Sequence, residues 1–581
     1  KPMIDLGGWV RSQNSISYQK NSNYFWQLKN YLTYANQWGK HSVTAMVGQE
    51  CWESRWNYLS GSNTDLPSDE VHNVALATGT PSISSGFGSS AMASYNYGDR
   101  YLGTYTYRYD GSSNFGPKNR WAGFHSVALA WRFSNEKFFE PVKKVIDNGK
   151  LRLGWGQTGN SSIGSYAWGA AITRMPSALG MGFRPSNIPN TSIRWESQEQ
   201  YNVGLDLGFF NGRFNLTVDA YYKRSDDMLM SMQLPSYMGT QGNGSSKLQA
   251  PKGNYGSIEN KGLEITLDAH PVQLKNFSWD SNFQISFNKN KLLSLSDTEN
   301  ATLVGYGQWG DVVCVSEIGK PLYNFYGYKV EGVYKDLDDI QNSAKPAKYP
   351  SDGVFSRGNT VWVGDIKYKD VDENGIIDER DRTDLGSPLP KFTFGWTNTF
   401  RYRNLDLSIF LNGSYGNKVM NYNSLTLTHM NSTWTNQLQS VVSKRARLEP
   451  IDPTIVYADG SKWFDHIDNV RVKNPGTKIP SINDPNDNDR ISDRYVEDGS
   501  FLRIKNITLG YTFPKALLNK AKIENLRVYV NIQNLYTFTK YTGYDPEVGA
   551  STQDSSGLTY GLDNGRYPSP AMYSFGLNIT F

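Results

Sequence analysis

Large apolar residues alternate with small or polar residues along the last nine positions of the chain, 573–581. The apolar positions are Tyr573, Phe575, Leu577, Ile579 and Phe581. Because successive side chains of a β-strand point to opposite faces, the alternation gives this segment one apolar face and one polar face. A strand that separates lipid from an aqueous lumen needs both faces. The pattern therefore predicts the last strand of a transmembrane β-barrel.

The same alternation recurs along the chain, for example at 214–220, 263–269, 277–287, 405–409 and 526–532. Each segment is about long enough for a tilted strand to cross a membrane. The whole pattern predicts about sixteen strands, near 3–12, 21–36, 41–57, 89–97, 100–110, 121–133, 150–158, 198–210, 213–224, 258–270, 277–288, 391–402, 405–415, 500–512, 526–538 and 571–581. We therefore expect an all-β fold, a transmembrane antiparallel β-barrel domain that occupies residues 1–581.

Short and long connections alternate between the predicted strands. The short connections contain Gly98-Asp99, Asn211-Gly212 and Arg403-Asn404, and Asn-Gly is a favoured hairpin turn because both residues tolerate positive φ. The long connections are 58–89, 159–197, 224–258, 289–390, 416–499 and 539–570. Bacterial barrels have short periplasmic turns and long extracellular loops. We therefore predict a periplasmic C-terminus and two especially long extracellular loops, 289–390 and 416–499.

Composition supports strands rather than helices as the membrane-spanning elements. The mean hydropathy is −0.56, and no apolar run approaches the roughly 20 residues that a spanning helix needs. Aromatic residues form 14% of the chain, which suits interfacial girdles. The net charge is only +4 and the basic residues are scattered, so nucleic acid is not indicated as a partner.

The cysteine content and the start of the chain give two further indications. The cysteines, Cys51 and Cys314, are too few for a disulfide framework and lack the spacing of a metal site. The chain starts without a signal-peptide pattern, so we expect its N-terminus to be truncated or processed.

Seven segments resemble the SusC/RagA family of TonB-dependent outer-membrane transporters. They are YRYDGSSNFGPKNR (107–120), WRF (131–133), LRLGWGQTGN (151–160), WESQEQYNVGLD (195–206), IENKGLE (258–264), GDIKYKD (364–370) and DGSFLRIKN (498–506). The resemblance implies a barrel of 22 strands with an N-terminal plug, of which this chain would hold the last sixteen or so. Nothing in the chain matches the plug or the TonB box, so residues for gating and energy coupling are not transferred. We expect the missing part to precede this chain or to lie on a separate polypeptide.

The resemblance also implies a function and partners. Such transporters are not enzymes; they import glycans or oligopeptides across the bacterial outer membrane. They work with a SusD-like surface lipoprotein, which forms a hinged lid, and with the TonB–ExbB–ExbD complex, which acts through the N-terminal part. Outer-membrane lipid is the remaining partner. The resemblance leaves open whether two transporter–lid units pair as a dimer.

The segment 370–381 matches a calcium-binding loop of the EF-hand type. Oxygen-bearing side chains occupy positions 1, 3, 5, 9 and 12, glycine occupies position 6, and the carbonyl of position 7 completes the set. The predicted ligands are Asp370, Asp372, Asn374, Ile376, Asp378 and Asp381. The motif departs from the usual pattern at Asp381, where a bidentate Glu is more common. We expect a structural Ca²⁺ in an extracellular hairpin, and the alternative is a polar turn that binds no metal.

Aromatic residues in the predicted loops are candidates for cargo contact, because they stack on sugar rings or pack against peptide side chains. They are Tyr306, Trp309, Trp434, Tyr457 and Trp463. The alternatives are packing within the loops and contact with the lid, since Tyr and Trp also enrich protein interfaces. Asp465 and His466 lack a nucleophile and a third partner at recognisable spacing, so catalysis is not expected.

Two other functional classes fit parts of the sequence. A passive porin of about sixteen strands would also show the alternation. A secreted β-rich protein that binds or cleaves glycans would share the Tyr-rich composition. The long predicted loops favour a transporter, because a diffusion pore has little use for so much extracellular chain.

Overall fold

The structure is a computed structural model of the chain. It describes residues 4–5, 10–11, 13–66, 68, 76–177, 180–231, 248–295, 301–428, 436–481, 486–519, 522–550 and 557–581. Among these residues, none of the helices has both the length and the apolar composition needed to cross a membrane.

Fifteen strands form one large antiparallel sheet, in which each strand neighbours the next one along the chain. The strands are β1 (Ser15–Trp38), β2 (His41–Thr64), β3 (Leu76–Tyr97), β4 (Tyr101–Ser112), β5 (Trp121–Trp131), β6 (Ile146–Asn160), β7 (Glu196–Phe209), β8 (Phe214–Asp226), β9 (Ser257–Gln273), β10 (Phe277–Ser294), β11 (Phe392–Tyr402), β12 (Leu405–Tyr415), β13 (Phe501–Thr512), β14 (Asn525–Thr539) and β15 (Met572–Thr580). The predicted all-β fold class is confirmed, and each of these strands overlaps a predicted one.

The first three strands are longer than predicted. β1 and β2 pair along their full lengths, from Ser15 opposite Thr64 to Trp38 opposite His41. β3 continues the ladder from Tyr97 back to Leu76. Small and polar residues make up much of the sequence of 76–90, so the sequence shows no alternation there. The backbone ladder continues regardless, because its hydrogen bonds do not depend on side-chain polarity.

The predicted strand at 3–12 is wrong in its described part. Ile4 pairs with Arg11 and Asp5 pairs with Val10, so the segment folds back on itself as two short antiparallel strands, Ile4–Asp5 and Val10–Arg11. The rest of this predicted strand lies outside the described residues.

All three predicted tight turns connect neighbouring strands of the sheet. Gly98 and Asp99, between β3 and β4, have φ values of 57° and 56°. Asn211 and Gly212, between β7 and β8, have φ values of 59° and 73°. Positive φ at both central residues gives a turn whose twist matches that of the flanking strands. These turns therefore fix the register of their hairpins.

The chain divides into two compact units, Lys1–Asp206 with Ala220–Glu259, and Leu207–Asp219 with Asn260–Phe581. The first unit adds two hairpins outside the large sheet, Ile172–Ser177 with Gly180–Pro185 and Leu229–Ser231 with Lys252–Asn254. It also contains two 3-10 helices, Phe133–Asn135 and Lys137–Val142.

The second unit contains most of the small elements. Its small sheets are formed by Thr302–Tyr306, Val312–Glu317, Asn324–Gly327 and Thr383–Gly386; by Val330–Val333 and Ile366–Tyr368; by Lys345–Pro346 and Ile376–Ile377; by Lys418–Asn421, Val496–Asp498 and Leu562–Asp563; and by Leu448–Pro450 and Val470–Val472. Its α-helices are Leu337–Gln341, Tyr422–Leu427, Gln439–Lys444 and Lys515–Leu518. Its 3-10 helices are Glu379–Asp381, Trp463–Asp465, Ile467–Asn469 and Asp493–Tyr495.

The long connections of the second unit therefore fold around apolar cores of their own. We call the larger one the first loop core; its buried residues include Val333, Tyr334, Trp362, Ile366 and Val470. The second loop core is built around Val313, Phe325, Met420, Tyr422 and Leu562. Short strands buried on both sides show no polar and apolar alternation, so the sequence pattern identified these segments only as loops.

The large sheet keeps many apolar side chains exposed. On β15, Phe575 is 84% exposed and Tyr573 is 64% exposed. Large apolar residues on other strands, such as Leu32 and Leu129, are also more than half exposed. A soluble protein rarely exposes apolar surface to this extent. Lipid contact is the environment that suits such a face.

Candidate functional site

The predicted calcium loop, 370–381, follows one short strand and itself contains a second short strand and a 3-10 helix. It follows the strand Ile366–Tyr368, includes the strand Ile376–Ile377 and ends in the helix Glu379–Asp381. Ile377 is 1% exposed and belongs to the first loop core, which anchors the loop. Gly375 has a φ of 82°, a left-handed conformation that favours glycine at this sharp bend.

Three of the predicted ligands converge. One carboxylate oxygen from each of Asp370, Asp372 and Asp381 lies within 4.8 Å of the others. Asp381 is fully buried, and its two oxygens accept the N–H groups of Val371 at 2.7 Å and Asp378 at 2.8 Å. The backbone of the loop therefore holds this carboxylate in place.

Asp370 gives the strongest indication of a cation site in this loop. Its Oδ2 accepts the N–H of Gly375 at 2.8 Å, which ties position 1 of the loop to position 6. Its Oδ1 is buried and has no hydrogen-bond partner among the residues described. A buried carboxylate oxygen without a partner is costly unless a cation approaches it. The oxygen-only donor set fits a hard cation such as Ca²⁺.

The other three predicted ligands have protein partners. The Asn374 side-chain oxygen accepts the N–H of Ile376 at 2.7 Å, and the residue Ile376 pairs with Lys345 in a short parallel ladder. Asp378 accepts hydrogen bonds from Arg380, which lowers the pKa of this carboxyl below its ordinary value. The Arg380 Nε also lies 3.7 Å from Asp372 Oδ2, so this guanidinium offsets part of the negative charge of the loop.

Two of the predicted cargo-contacting aromatics lie on the same connection. Tyr306 is 47% exposed, and Trp309 is 60% exposed with its ring tilted against Tyr422 at a centroid distance of 5.4 Å. Burial, together with a hydrogen bond that Tyr422 donates to Asp311 at 2.7 Å, raises the pKa of Tyr422. Trp309 therefore packs on Tyr422, a residue of the second loop core, and the rest of its ring remains accessible.

Tyr457 has one ring face covered by the protein itself. Its ring stacks on His466 at a centroid distance of 3.6 Å. The Ser461 hydroxyl donates to Asp459 at 2.6 Å, and its oxygen lies 2.5 Å from the His466 Nε2. Because Asp459 contacts the serine rather than the imidazole, this arrangement lacks the order of a catalytic triad. Trp434 lies outside the described residues.

Trp463 packs against the first loop core and lines a cavity that the sequence did not predict. The cavity also receives Trp362 and three arginines, Arg357, Arg445 and Arg447. The basic segment 444–447 is visible in the sequence, but Arg357 joins it only through folding. The sequence pattern therefore missed four of these residues.

The chain was compared with known protein families and proteins. The family model described as "TonB dependent receptor-like, beta-barrel" matches residues 5–535. The chain is 30% identical to "TonB-dependent receptor P3" of Formosa agariphila, over 100% of this chain and 54% of that protein. It is 28% identical to "TonB-dependent receptor SusC" of Bacteroides thetaiotaomicron, over 99% of this chain and 51% of that protein. The chain thus spans about half the length of these relatives.

Among solved structures, the fold resembles that of the RagAB peptide transporter. The TM-score is 0.76 at 21% sequence identity, with 98% of this chain and 56% of that chain covered. A second structure, of the RagAB peptide importer in its "open-open" state, gives a TM-score of 0.72 at the same identity, with 98% and 56% covered. At this level of identity the likeness concerns the fold alone.

Proposed function

We propose, from the premise that this chain belongs to the TonB-dependent receptor-like β-barrel family, that it forms the barrel of an active importer in the bacterial outer membrane. The family match over residues 5–535 carries this proposal. The large sheet with its exposed apolar face supports it, since such a face suits lipid. The family favours import over the secreted glycan-binding or glycan-cleaving alternative.

The proposed cargo is a nutrient oligomer, either a glycan or an oligopeptide. A surface lipoprotein of the SusD type would enclose the cargo as a lid. TonB would supply the energy by acting on an N-terminal plug of the kind that the family resemblance implies. The similarity to SusC and the RagAB fold support this assignment. The exposed rings of Tyr306 and Trp309 offer contact surface to cargo or lid.

We also propose a structural Ca²⁺ in the loop 370–381, with Asp370, Asp372 and Asp381 as its carboxylate ligands. Their convergence and the unpartnered Asp370 Oδ1 support this assignment. The ion would stiffen the segment that follows the strand Ile366–Tyr368 and so hold the surface of the first loop core. It would take no part in a chemical reaction.

The import proposal is tested in the native organism with a deletion of the gene and a plasmid that restores it. Growth on complex nutrient extracts, with and without an uncoupler of the proton gradient, measures energised uptake. We expect the deletion to abolish growth on one class of oligomer, and detergent pull-down of the native protein to recover a surface lipoprotein. The passive porin function would instead be established by three results together: uptake persists with uncoupler, the chain purifies alone, and the purified chain conducts ions.

A further inference from the structure

The cavity beside Trp463 has an unusual wall. We call it the arginine cavity; its charged and aromatic lining consists of Arg357, Arg445, Arg447, Trp362, Trp463 and Phe464. Its volume is about 390 Å³, which is room for one sugar unit rather than a long chain. Among the residues that the structure describes, the lining contains three guanidinium groups and no carboxylate. Its chemistry therefore favours an anion.

Two of the arginines, Arg445 and Arg447, donate to backbone carbonyl groups rather than to carboxylates among the described residues. Arg445 donates to the carbonyl oxygen of Val442 at 2.8 Å, and Arg447 donates to that of Ser443 at 3.2 Å. Neither has a carboxylate within salt-bridge distance in the part of the chain that the structure describes. Backbone carbonyls orient the guanidinium groups without neutralising them. Each can therefore form charge-assisted hydrogen bonds with an incoming carboxylate.

Two donors in the same wall have no acceptor within the described part of the chain. Trp362 is 1% exposed, and its indole Nε1 has no hydrogen-bond partner. The Arg357 Nε is also buried without a partner, while its Nη1 reaches Asp465 at 3.4 Å. Buried polar groups are normally paired, so unpaired donors in a cavity wall indicate an acceptor-rich ligand. These donors add to those that Arg445 and Arg447 offer in the same cavity.

The aromatic side chains give the cavity a fixed shape. Trp463 and Phe464 meet edge to face at a centroid distance of 5.5 Å, and Arg357 lies 4.5 Å above the Phe464 ring. Trp463 is held from behind by the first loop core. The negative face of an indole attracts the C–H groups of a ring that stacks on it. A sugar ring offers such a face together with hydroxyl acceptors.

We propose that the arginine cavity binds a uronic acid unit, with its carboxylate on Arg445 and Arg447 and its ring against Trp463. This assignment rests on the proposed import function and narrows its cargo to acidic saccharides. An acidic peptide would supply the carboxylate but not a C–H ring face beside it. The cavity would thus select cargo by its negative charge.

The test is calorimetric titration of the full protein, purified in detergent with its partners, against three probes. The probes are a trigalacturonate, its methyl ester and a triglutamate peptide. We expect the trigalacturonate alone to bind, with an affinity that falls as salt rises. In the double variant R445Q/R447Q the dissociation constant should rise at least about tenfold, since each lost charged hydrogen bond is worth more than a neutral one.

The matched control is R471Q, which alters an exposed arginine that pairs with Glu449 at 3.0 Å and does not line the cavity. It should bind trigalacturonate as the native protein does. Equal binding of the ester and the acid, an unaffected double variant, or preference for triglutamate would each overturn the assignment. Growth measurements separate this test from the import proposal. If the protein imports a different cargo, the deletion strain will still fail to grow on that cargo, whereas a strain that carries R445Q/R447Q will grow on it normally.

Discussion

The Arg503 Nη2 lies 2.5 Å from the Asp545 Oδ1, and both side chains are buried, at 3% and 6% exposure. Arg503 belongs to β13, whereas Asp545 belongs to the connection between β14 and β15. A second carboxylate, that of Glu547, lies 2.6 Å from Nη1 of the same arginine. This cluster ties a long connection to the wall of the sheet.

Replacing Arg503 with methionine should destabilise the protein by about 3 kcal/mol, because it leaves the Asp545 charge buried without its cation. The double variant R503M/D545N should recover part of the loss, since it removes that charge. Urea unfolding in detergent micelles measures both values. R401M is the matched control: its pair with Asp280 is more exposed, so its loss should stay within about 1 kcal/mol. Equal effects of R503M and R401M would contradict this account.

The stability of the protein should fall in acid partly through Asp545. Burial alone would raise the pKa of this carboxyl, but the N–H groups of Glu547 and Ser569, with Arg503, outweigh it and hold the pKa below its ordinary value. The folded state then binds fewer protons than the unfolded state, so this stabilisation is complete above about pH 4 and is lost below it. Unfolding midpoints measured between pH 7 and pH 3 should fall less steeply in D545N. Parallel pH profiles for the two proteins would exclude this role.

Calcium should raise the stability of the native protein and not that of D370N. The asparagine keeps an oxygen for the Gly375 N–H but removes the charge and the free Oδ1. At free calcium 100 times the dissociation constant, binding adds about 2.7 kcal/mol to the free energy of unfolding. Metal analysis after dialysis should find one Ca²⁺ per native chain. E373Q, which changes a charge in the same loop outside the three-carboxylate cluster, should still respond to calcium.

Two glycines of the second unit should respond differently to one added methyl group. At Gly327 a Cβ would lie 2.3 Å from the backbone carbonyl oxygen of Ile491, so the backbone would have to shift. At Gly332 a Cβ would meet nothing within 4 Å. G327A should therefore cost about 1–3 kcal/mol, whereas G332A should stay within about 0.5 kcal/mol. Urea midpoints compare the two, and similar values would show that this contact yields easily.

The clustering of carboxylates in the candidate calcium loop could be predicted from the sequence, because the candidate ligands lie within twelve residues. Local spacing sets which side chains can meet, and the structure brings Asp370, Asp372 and Asp381 together as one cluster. The spacing could not show that Arg380 would engage Asp378, because competition between neighbouring side chains depends on their rotamers. The spacing also could not show that one face of the Tyr457 ring would stack on His466.

The sequence by itself determined most of the large sheet. Alternation with a period of two marks its strands apart from much of 76–90, and turns such as Gly98-Asp99 mark hairpins, because both signals are local consequences of backbone geometry. Only the tertiary structure decided what the long connections do. Arg357 and Arg445 are 88 positions apart in the chain, and the first loop core brings them to one cavity. Burial against distant segments creates that site, and no periodic pattern along the chain records such contacts.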